Sequence, residues 1–454
     1  MPVSQRQLGL RLQRLRQRHG LTQAELAKRL GLSPSYLNQI ERNQRPLTLA
    51  VQQRLKDTLG ELGDLLDRDD PAALLDPLED TMRALGHTTV SPTELRALAG
   101  NLPQVANALL DLHREHRHLQ ERAAALELQL GSSHGATPLL SPGDHVRDHF
   151  NRARNYIPEL DERAEALYAE HGLTPDTLAP RLRQLLADRH GLRVRLDGQA
   201  GDKRLYDPAS RTLWLPAWLK PGQQSFQMAA QLALLEHGTL IDLLIARAGF
   251  DDAERIALAR IGFSNYYAGA LVMPYGEFLR SAEDSHYDIE WLAQRFAVGF
   301  EAVCHRLSTL QRRNAPGLPV FFMRVDRAGN VSKRHSSTDF HFSQVGGTCP
   351  LWIVYEAFNQ PGRILTQVAR MPDGRQHFWL ARQVSSGPPG FGQPRKTFAL
   401  ALGCDLRHAD RLVYSRGLDL LGGSAVPIGP GCLTCERMDC LQRAFPPLRR
   451  LGRG

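Results

Sequence analysis

The sequence predicts a multidomain α+β protein, all-helical at its amino end, mixed in the middle and β-rich at its carboxy end. Three observations predict it. The chain has 454 residues, 42% of them apolar and 23% charged, which supplies two to four ordinary cores at about 100–200 residues per domain. Leucines recur at helical spacing through the first third, whereas alternation and tight turns take over beyond residue 316. Four of the six cysteines crowd the last 51 residues.

Composition also excludes several classes. Six cysteines are too few for a disulfide-built secreted scaffold, and the basic start Met1–His19 lacks the apolar stretch of a signal peptide. A cytoplasmic location is therefore expected. The most apolar long stretch, Met228–Ala246, is interrupted by Gln231, Glu236, His237 and Asp242, and charges are costly in hydrocarbon, so neither a transmembrane span nor a membrane partner is expected.

The formal charge of +8 is localised. Nine arginines and lysines against Glu25 and Glu41 leave +7 within residues 1–45. Such a block attracts a phosphate backbone and releases its counterions. Local pattern sharpens that reading. Leu8, Leu12 and Leu15 follow helical spacing, and His19-Gly20 ends the helix. Thr22-Gln-Ala-Glu25 is a capping box that starts a second helix at Gln23. Gly31 gives a tight turn, and Ser33-Pro34 caps a third helix.

The string LTQAELAKRLGLSPSYLNQIERNQRPLT resembles the XRE-type helix-turn-helix along its whole length. The resemblance implies that the helix from Ser33 enters the major groove of a double-stranded DNA operator, with Ser35, Tyr36 and Gln39 at base edges. It places Gln23, Asn38, Arg42, Asn43 and Arg45 at phosphate-contacting positions. Leu37 and Ile40 read as core.

This DNA-binding domain spans 1–66, and a helical connector follows over 67–141. Pro103 opens a long helix reaching about Leu130, with a heptad seam at Val105, Leu109, Leu112, His116, Leu119, Ala123, Leu126 and Leu130. Either a second copy of the chain, as a homodimer or higher homo-oligomer, or another helix of the same chain covers that stripe.

Residues 142–315 read as a small α+β unit. Leu192–Leu196 and Arg211–Leu215 alternate like paired strands, with Asp207-Pro-Ala-Ser210 as the turn between them. Helices containing Phe226–Leu235 and Ser264-Asn-Tyr-Tyr-Ala268 follow. The order resembles the ImmA/IrrE metallopeptidase-like domain, a zincin-like fold in which one helix carries H-E-x-x-H. Here that stretch is Ala230-Gln231-Leu232-Ala233-Leu234, and the third-ligand carboxylate position holds Ile261. The domain is thus a degenerate zincin without a hydrolytic centre, and no enzyme activity is expected. Arg154, Lys203, Arg204, Tyr266, Tyr267 and Arg306 are the cations and phenols to test against a phosphate-bearing ligand.

Residues 316–454 are mainly β, with turns at Asp326-Arg-Ala-Gly-Asn330 and Pro372-Asp-Gly374. Cys404 precedes Cys432, Cys435 and Cys440 in the string GCLTCERMDCLQRAFPP. In a reducing compartment four thiolates kept together serve a metal. Zinc and an iron–sulfur cluster both accept four cysteines, and the single Cys-x₂-Cys knuckle leans toward iron–sulfur. Cys304 and Cys349 read as lying apart from the set.

Together with HFNRARNYIPELDERAE and GGTCPLWIVYEAFNQPGRILTQVARMPDGRQHFWLAR, these modules resemble the short-chain fatty-acyl transcriptional regulators. The best-known type responds to propionate and controls the methylcitrate and glyoxylate routes. The resemblance implies a CoA or acyl-CoA effector held by the middle domain and a [4Fe–4S] cluster on Cys404, Cys432, Cys435 and Cys440, with zinc as the alternative. It also implies homo-oligomeric binding upstream of acyl-CoA metabolism genes. An ImmA/IrrE-type metalloprotease or stress regulator, and a zinc-stabilised DNA-binding protein without acyl-CoA, are the competing readings.

Overall fold

A computed structural model describes residues 12–13, 16–17, 20–42, 44–45, 48, 51, 54–55, 71–85, 90–131, 142–197, 204–338, 340, 348–393, 395–421, 423–432 and 435–444. The chain divides into two compact units, 1–119 and 120–454.

In the first unit, helix α1 (Gln23–Leu30) begins at the expected capping box. The Thr22 hydroxyl accepts from the Glu25 amide at 3.3 Å and the Glu25 carboxylate accepts from the Thr22 amide at 2.7 Å. Gly31, at φ +63°, takes the left-handed turn that ends it. Helix α2 (Pro34–Glu41) starts where Ser33 Oγ accepts from the Tyr36 amide at 3.1 Å. Leu26, Ala27, Leu30, Leu37 and Ile40 meet Leu12, Val51 and Leu55 in one small core. Leu37 and Ile40 are inside, as their spacing predicts.

Helices α3 (Pro71–Ala84), α4 (Pro92–Asn101) and α5 (Pro103–Gly131) follow. A second capping box, Ser91 with Glu94, starts α4. Leu74 and Leu78 pack on Leu95, Ala99, Ala106 and Leu110. The α5 residues turned to this core are Ala106 and Leu110, together with the half-buried Leu109 of the heptad seam. Seam positions Val105, Leu112 and Leu119 are 52%, 67% and 53% exposed.

The second unit opens with α6 (Pro142–Arg152), α7 (Pro158–Glu170) and α8 (Leu178–His190). Strands β1 (Arg193–Asp197), β2 (Leu205–Asp207) and β3 (Thr212–Pro216) form a sheet in the order β1-β3-β2. The two alternating segments do pair, Val194 opposite Leu213, but in parallel. A parallel pair cannot be closed by a tight turn. The Asp207–Ser210 turn instead joins β3 to its antiparallel neighbour β2, whose three residues are too short to show a period.

Helices α9 (Pro221–Glu236), α10 (Gly238–Arg247), α11 (Ala253–Val272), α12 (Tyr275–Asp284), α13 (Ile289–Arg295) and α14 (Phe300–Leu307) build the middle layer. Among the described residues no single helix is long and apolar enough to cross a membrane, and the apolar pair α9–α10 is bent by 81° at His237.

Six strands, β4 (Phe321–Val325), β5 (Val331–Ser336), β6 (Leu365–Arg370), β7 (Gln376–Ser386), β8 (Lys396–Asp405) and β9 (Val426–Pro427), form a sheet in the order β5-β4-β8-β7-β6-β9. Strand alternation sends successive side chains to opposite faces. Phe322, Phe378, Leu402 and Cys404 join Phe263, Phe278 and Leu307 of the helices in one core. Phe321, Trp379 and Ala401 face a second cluster with Trp352, Cys349 and Ile428. Gly403 sits where this crossing leaves no room, since a Cβ there would stand 2.2 Å from the Phe321 ring.

Candidate DNA-binding face and cysteine recess

On α2, Ser35 is exposed, and Tyr36 and Gln39 are half-buried on the open side. Arg45 lies over the Tyr36 ring, 5.5 Å from its centroid. Arg42 is exposed at the helix end, and Asn43 lies outside the described residues. Gln23 Nε2 is engaged within the motif, donating to Glu41 Oε2 at 2.9 Å and to Asn38 Oδ1 at 3.3 Å. Glu41, only 5% exposed, is the residue that motif reading passed over. It binds Arg16 through both carboxylate oxygens, at 2.7 and 3.1 Å. An acidic residue inside a block of bases is the sequence signal for such a pair.

In the middle domain the peptidase-like helix has become packing. Ala230, Leu232 and Ala233 are wholly buried and Gln231 is 4% exposed, while Ile261 stands at the surface. Tyr266 and Arg306, both offered for a phosphate ligand, are corrected to a closed internal network. Arg306 donates to Asp161 at 2.7 and 3.2 Å and to the Met273 carbonyl at 2.9 Å. The Tyr266 hydroxyl donates to Asp161 at 2.7 Å and accepts from the Ile157 amide. Neither side chain has a polar atom left for a ligand. Burial also drives the Tyr266 and Tyr267 hydroxyls well above their ordinary range. Tyr267 packs beside His237, with ring centroids 4.9 Å apart.

Arg204 donates to Gln227 at 3.1 Å, and burial lowers its basicity. Lys203 lies outside the described residues. Arg154 and Asn155 both adopt left-handed backbone, φ 49° and 56°, at the corner between α6 and α7. Asn155 donates from there to the Ser336 carbonyl at 3.1 Å, tying this corner to β5. The six candidates therefore do not form one site among the described residues.

The cysteines do gather, with one exchange. Cys432, Cys435 and Cys440 line one small recess, and the fourth cysteine on its wall is Cys349. Cys404 is corrected out of the set. It is wholly buried in β8, opposite Phe378, on the face that packs against the middle-domain helices. The recess instead adjoins the Cys349, Trp352 and Ile428 cluster of the other face. Burial pushes the Cys404 thiol far up, as expected of an inert core residue.

The recess is built closely. The Gly429 amide donates to Cys349 Sγ at 3.4 Å, and its carbonyl accepts from Trp352 Nε1 at 3.0 Å. A Cβ on Gly429 would stand 2.5 Å from Cys435 Sγ, so only glycine lets the thiol approach. Burial raises the Cys349 thiol, opposed by N–H groups of Gly429 and Leu351. Arg443 donates to the Cys432 and Cys435 carbonyls, each at 2.9 Å, and also to the Arg437 carbonyl. Arg437 in turn donates to the carbonyls of Ile428 at 3.1 Å and Arg370 at 2.8 Å, fastening the cysteine loop to the edge of β6. Among the described residues, no three Cys, His, Asp or Glu side chains lie close enough to enclose a single ion as placed.

Three family matches cover most of the chain. Residues 7–68 match the helix-turn-helix domain, 187–308 the IrrE N-terminal-like domain, and 309–452 the short-chain fatty acyl coenzyme A regulator, C-terminal. The HTH-type transcriptional regulator RamB of Mycobacterium tuberculosis is 46% identical over 99% of this chain and 96% of its own length. The HTH-type transcriptional regulator PrpR of the same organism is 45% identical over 97% of this chain and 92% of its own. The propionyl-CoA carboxylase regulator of Cereibacter sphaeroides is 41% identical over 97% and 95%. A solved structure titled as a Mycobacterium tuberculosis transcriptional regulator is 50% identical, covers 67% of this chain and 94% of that one, and superposes with a TM-score of 0.65. With a capped helix-turn-helix at one end, relatives along nearly its whole length and the matching carboxy-terminal region, this chain belongs to the family of short-chain fatty acyl-coenzyme A regulators, DNA-binding transcriptional regulators of the helix-turn-helix type.

Proposed function

We propose that this chain regulates transcription of genes for short-chain acyl-CoA metabolism, propionate or glyoxylate use among them, in response to an acyl-CoA of the propionyl type. The observation that carries the reading is the union, in one chain, of a helix-turn-helix with a carboxy-terminal region matching the short-chain fatty acyl coenzyme A regulators. The names of the relatives point the same way, since one is a propionyl-CoA carboxylase regulator. The middle domain acts by binding, because the positions that would hold zinc and a general base are Ala230, Gln231, Leu234 and Ile261.

The control is linkage. An acyl-CoA that prefers one arrangement of the protein shifts operator binding by its differential affinity, and a tenfold change needs only about 1.4 kcal/mol. Titration of propionyl-CoA and of free CoA into a complex of the protein with a duplex it selects is the direct test. A graded change in affinity with the acyl ester is expected, and an unchanged affinity at saturation would remove the sensing function.

The recess would hold an iron–sulfur cluster on Cys349, Cys432, Cys435 and Cys440. Zinc and an iron–sulfur cluster both accept four thiolates, and the single Cys-x₂-Cys knuckle leans toward the cluster. N–H groups directed at sulfur, like that of Gly429 on Cys349, belong to the surroundings that tune such a cluster. When bound, it would supply a redox- or oxygen-sensitive tie on the β6 edge. Anaerobic purification should give iron and acid-labile sulfide, lost in Cys349→Ser and retained in Cys404→Ser. Zinc without sulfide would favour the structural-metal reading instead.

The exposed stripe Val105, Leu112 and Leu119 on α5, at intervals of seven, fits a second copy of the chain. A two-fold pair of recognition helices reading two half-sites is what that contact would deliver.

A further inference from the structure

The helix-turn-helix contains a polar chain whose donors and acceptors allow one arrangement. The buried Glu41 carboxylate is held by Arg16 through Nε at 2.7 Å and Nη2 at 3.1 Å. A carboxylate so paired can only accept hydrogen bonds. The amide group of Gln23 that meets Glu41 Oε2 at 2.9 Å must therefore be its nitrogen, which fixes the amide against flipping. The second hydrogen of that nitrogen goes to Asn38 Oδ1 at 3.3 Å. With its oxygen used, Asn38 is left with Nδ2, which has no partner among the described residues. The order from buried to open is thus cation, anion, donor, acceptor, donor.

We infer that Glu41 and Gln23 are positioning residues that fix Asn38 as a hydrogen-bond donor toward DNA. Asn38 then contacts an acceptor, which is a phosphate oxygen or the acceptor edge of a base. Gln23 acts through Asn38 rather than through its own amide nitrogen. This rests on the DNA-binding reading of the motif.

The test is a double-mutant cycle in the full-length protein, using fluorescein-labelled duplexes that the wild type enriches from a random-sequence library, beside scrambled duplexes of equal length. Gln23→Met leaves the Arg16–Glu41 pair intact and should keep the thermal midpoint. Gln23→Met and Asn38→Ala should each weaken binding about tenfold, the value of one hydrogen bond, and the double variant should also lose about tenfold. Glu41→Gln should lose affinity in the wild-type background and little more in the Asn38→Ala background. Loss on both enriched and scrambled duplexes identifies the phosphate, and loss on the enriched duplex alone identifies a base. Losses that multiply to about 100-fold, or no loss in Asn38→Ala, would overturn the inference. Failure of the wild type to enrich any duplex would instead remove the DNA-binding reading beneath it.

Discussion

Asp161 is wholly buried and answers to two arginines, Arg306 at 2.7 Å and Arg312 at 3.6 Å, besides the Tyr266 hydroxyl. Replacing Arg306 by Met strands a desolvated carboxylate, and breaking such a pair costs about 3–5 kcal/mol. Urea unfolding should show that loss, while acyl-CoA affinity per folded molecule should stay unchanged if the network is structural. A second test at this scale is Gly429→Ala. The added methyl must displace Cys435 Sγ, so the variant should purify with less of the proposed iron–sulfur cluster per chain than the wild type. Residue chemistry was only partly legible beforehand. Capping boxes depend on neighbours three residues apart, and Thr22 with Glu25 does what its spacing says. The fourth cysteine depends on which face of a strand it occupies. Cys404 is nearer to the trio in sequence, yet the alternation along β8 turns it into the helical core, and Cys349 arrives from a loop 83 positions before Cys432. Tyr266 and Arg306 misled for a related reason, because Asp161, the group they serve, lies more than 100 residues upstream.

Helix α5 has two apolar edges with different fates. Ala106, Leu110 and the seam residue Leu109 pack on the core of α3 and α4, whereas Val105, Leu112 and Leu119 keep half or more of their surface open. Each fully buried leucine adds about 1.5–3 kcal/mol, so a paired seam would make a substantial association. Leu112→Glu should convert a dimer to a monomer in light scattering after size exclusion, and weaken operator binding without lowering the helical content. A wild type that is already monomeric at micromolar concentration would rule out this seam as the contact. The heptad period itself was plain in the sequence, and so were the β1 and β3 alternations. Their pairing direction was not. Parallel strands and hairpins share one side-chain period, and the three residues of β2 that intervene are too few to announce a strand.

Across the second unit, burial keeps several imidazoles neutral. It lowers His305 and His377 to about 4 and His335 well below its ordinary value. An unfolded chain protonates the same rings near pH 6.5. Between pH 6.5 and about 4 the unfolded state therefore binds more protons than the folded one, and stability falls as pH falls through that window. The urea midpoint should be flat above pH 7 and drop steadily below 6.5. His377→Phe, set among Phe321 and Phe340, should reduce the drop without abolishing it. A midpoint insensitive to pH over this range would contradict the burial of these rings.

The core common to the middle helices and the sheet has a consequence for inheritance. Phe322, Phe378, Leu400 and Leu402 find their cover on helices encoded before residue 310, and those helices find theirs on strands encoded after residue 320. Recombination that cut the gene between the two would give two products, each with a bare oily flank. Duplication, fusion or transfer of this half of the molecule can therefore succeed only as one indivisible block, while the small amino-terminal bundle, with its own separate interior, is free to be exchanged for another reader of DNA.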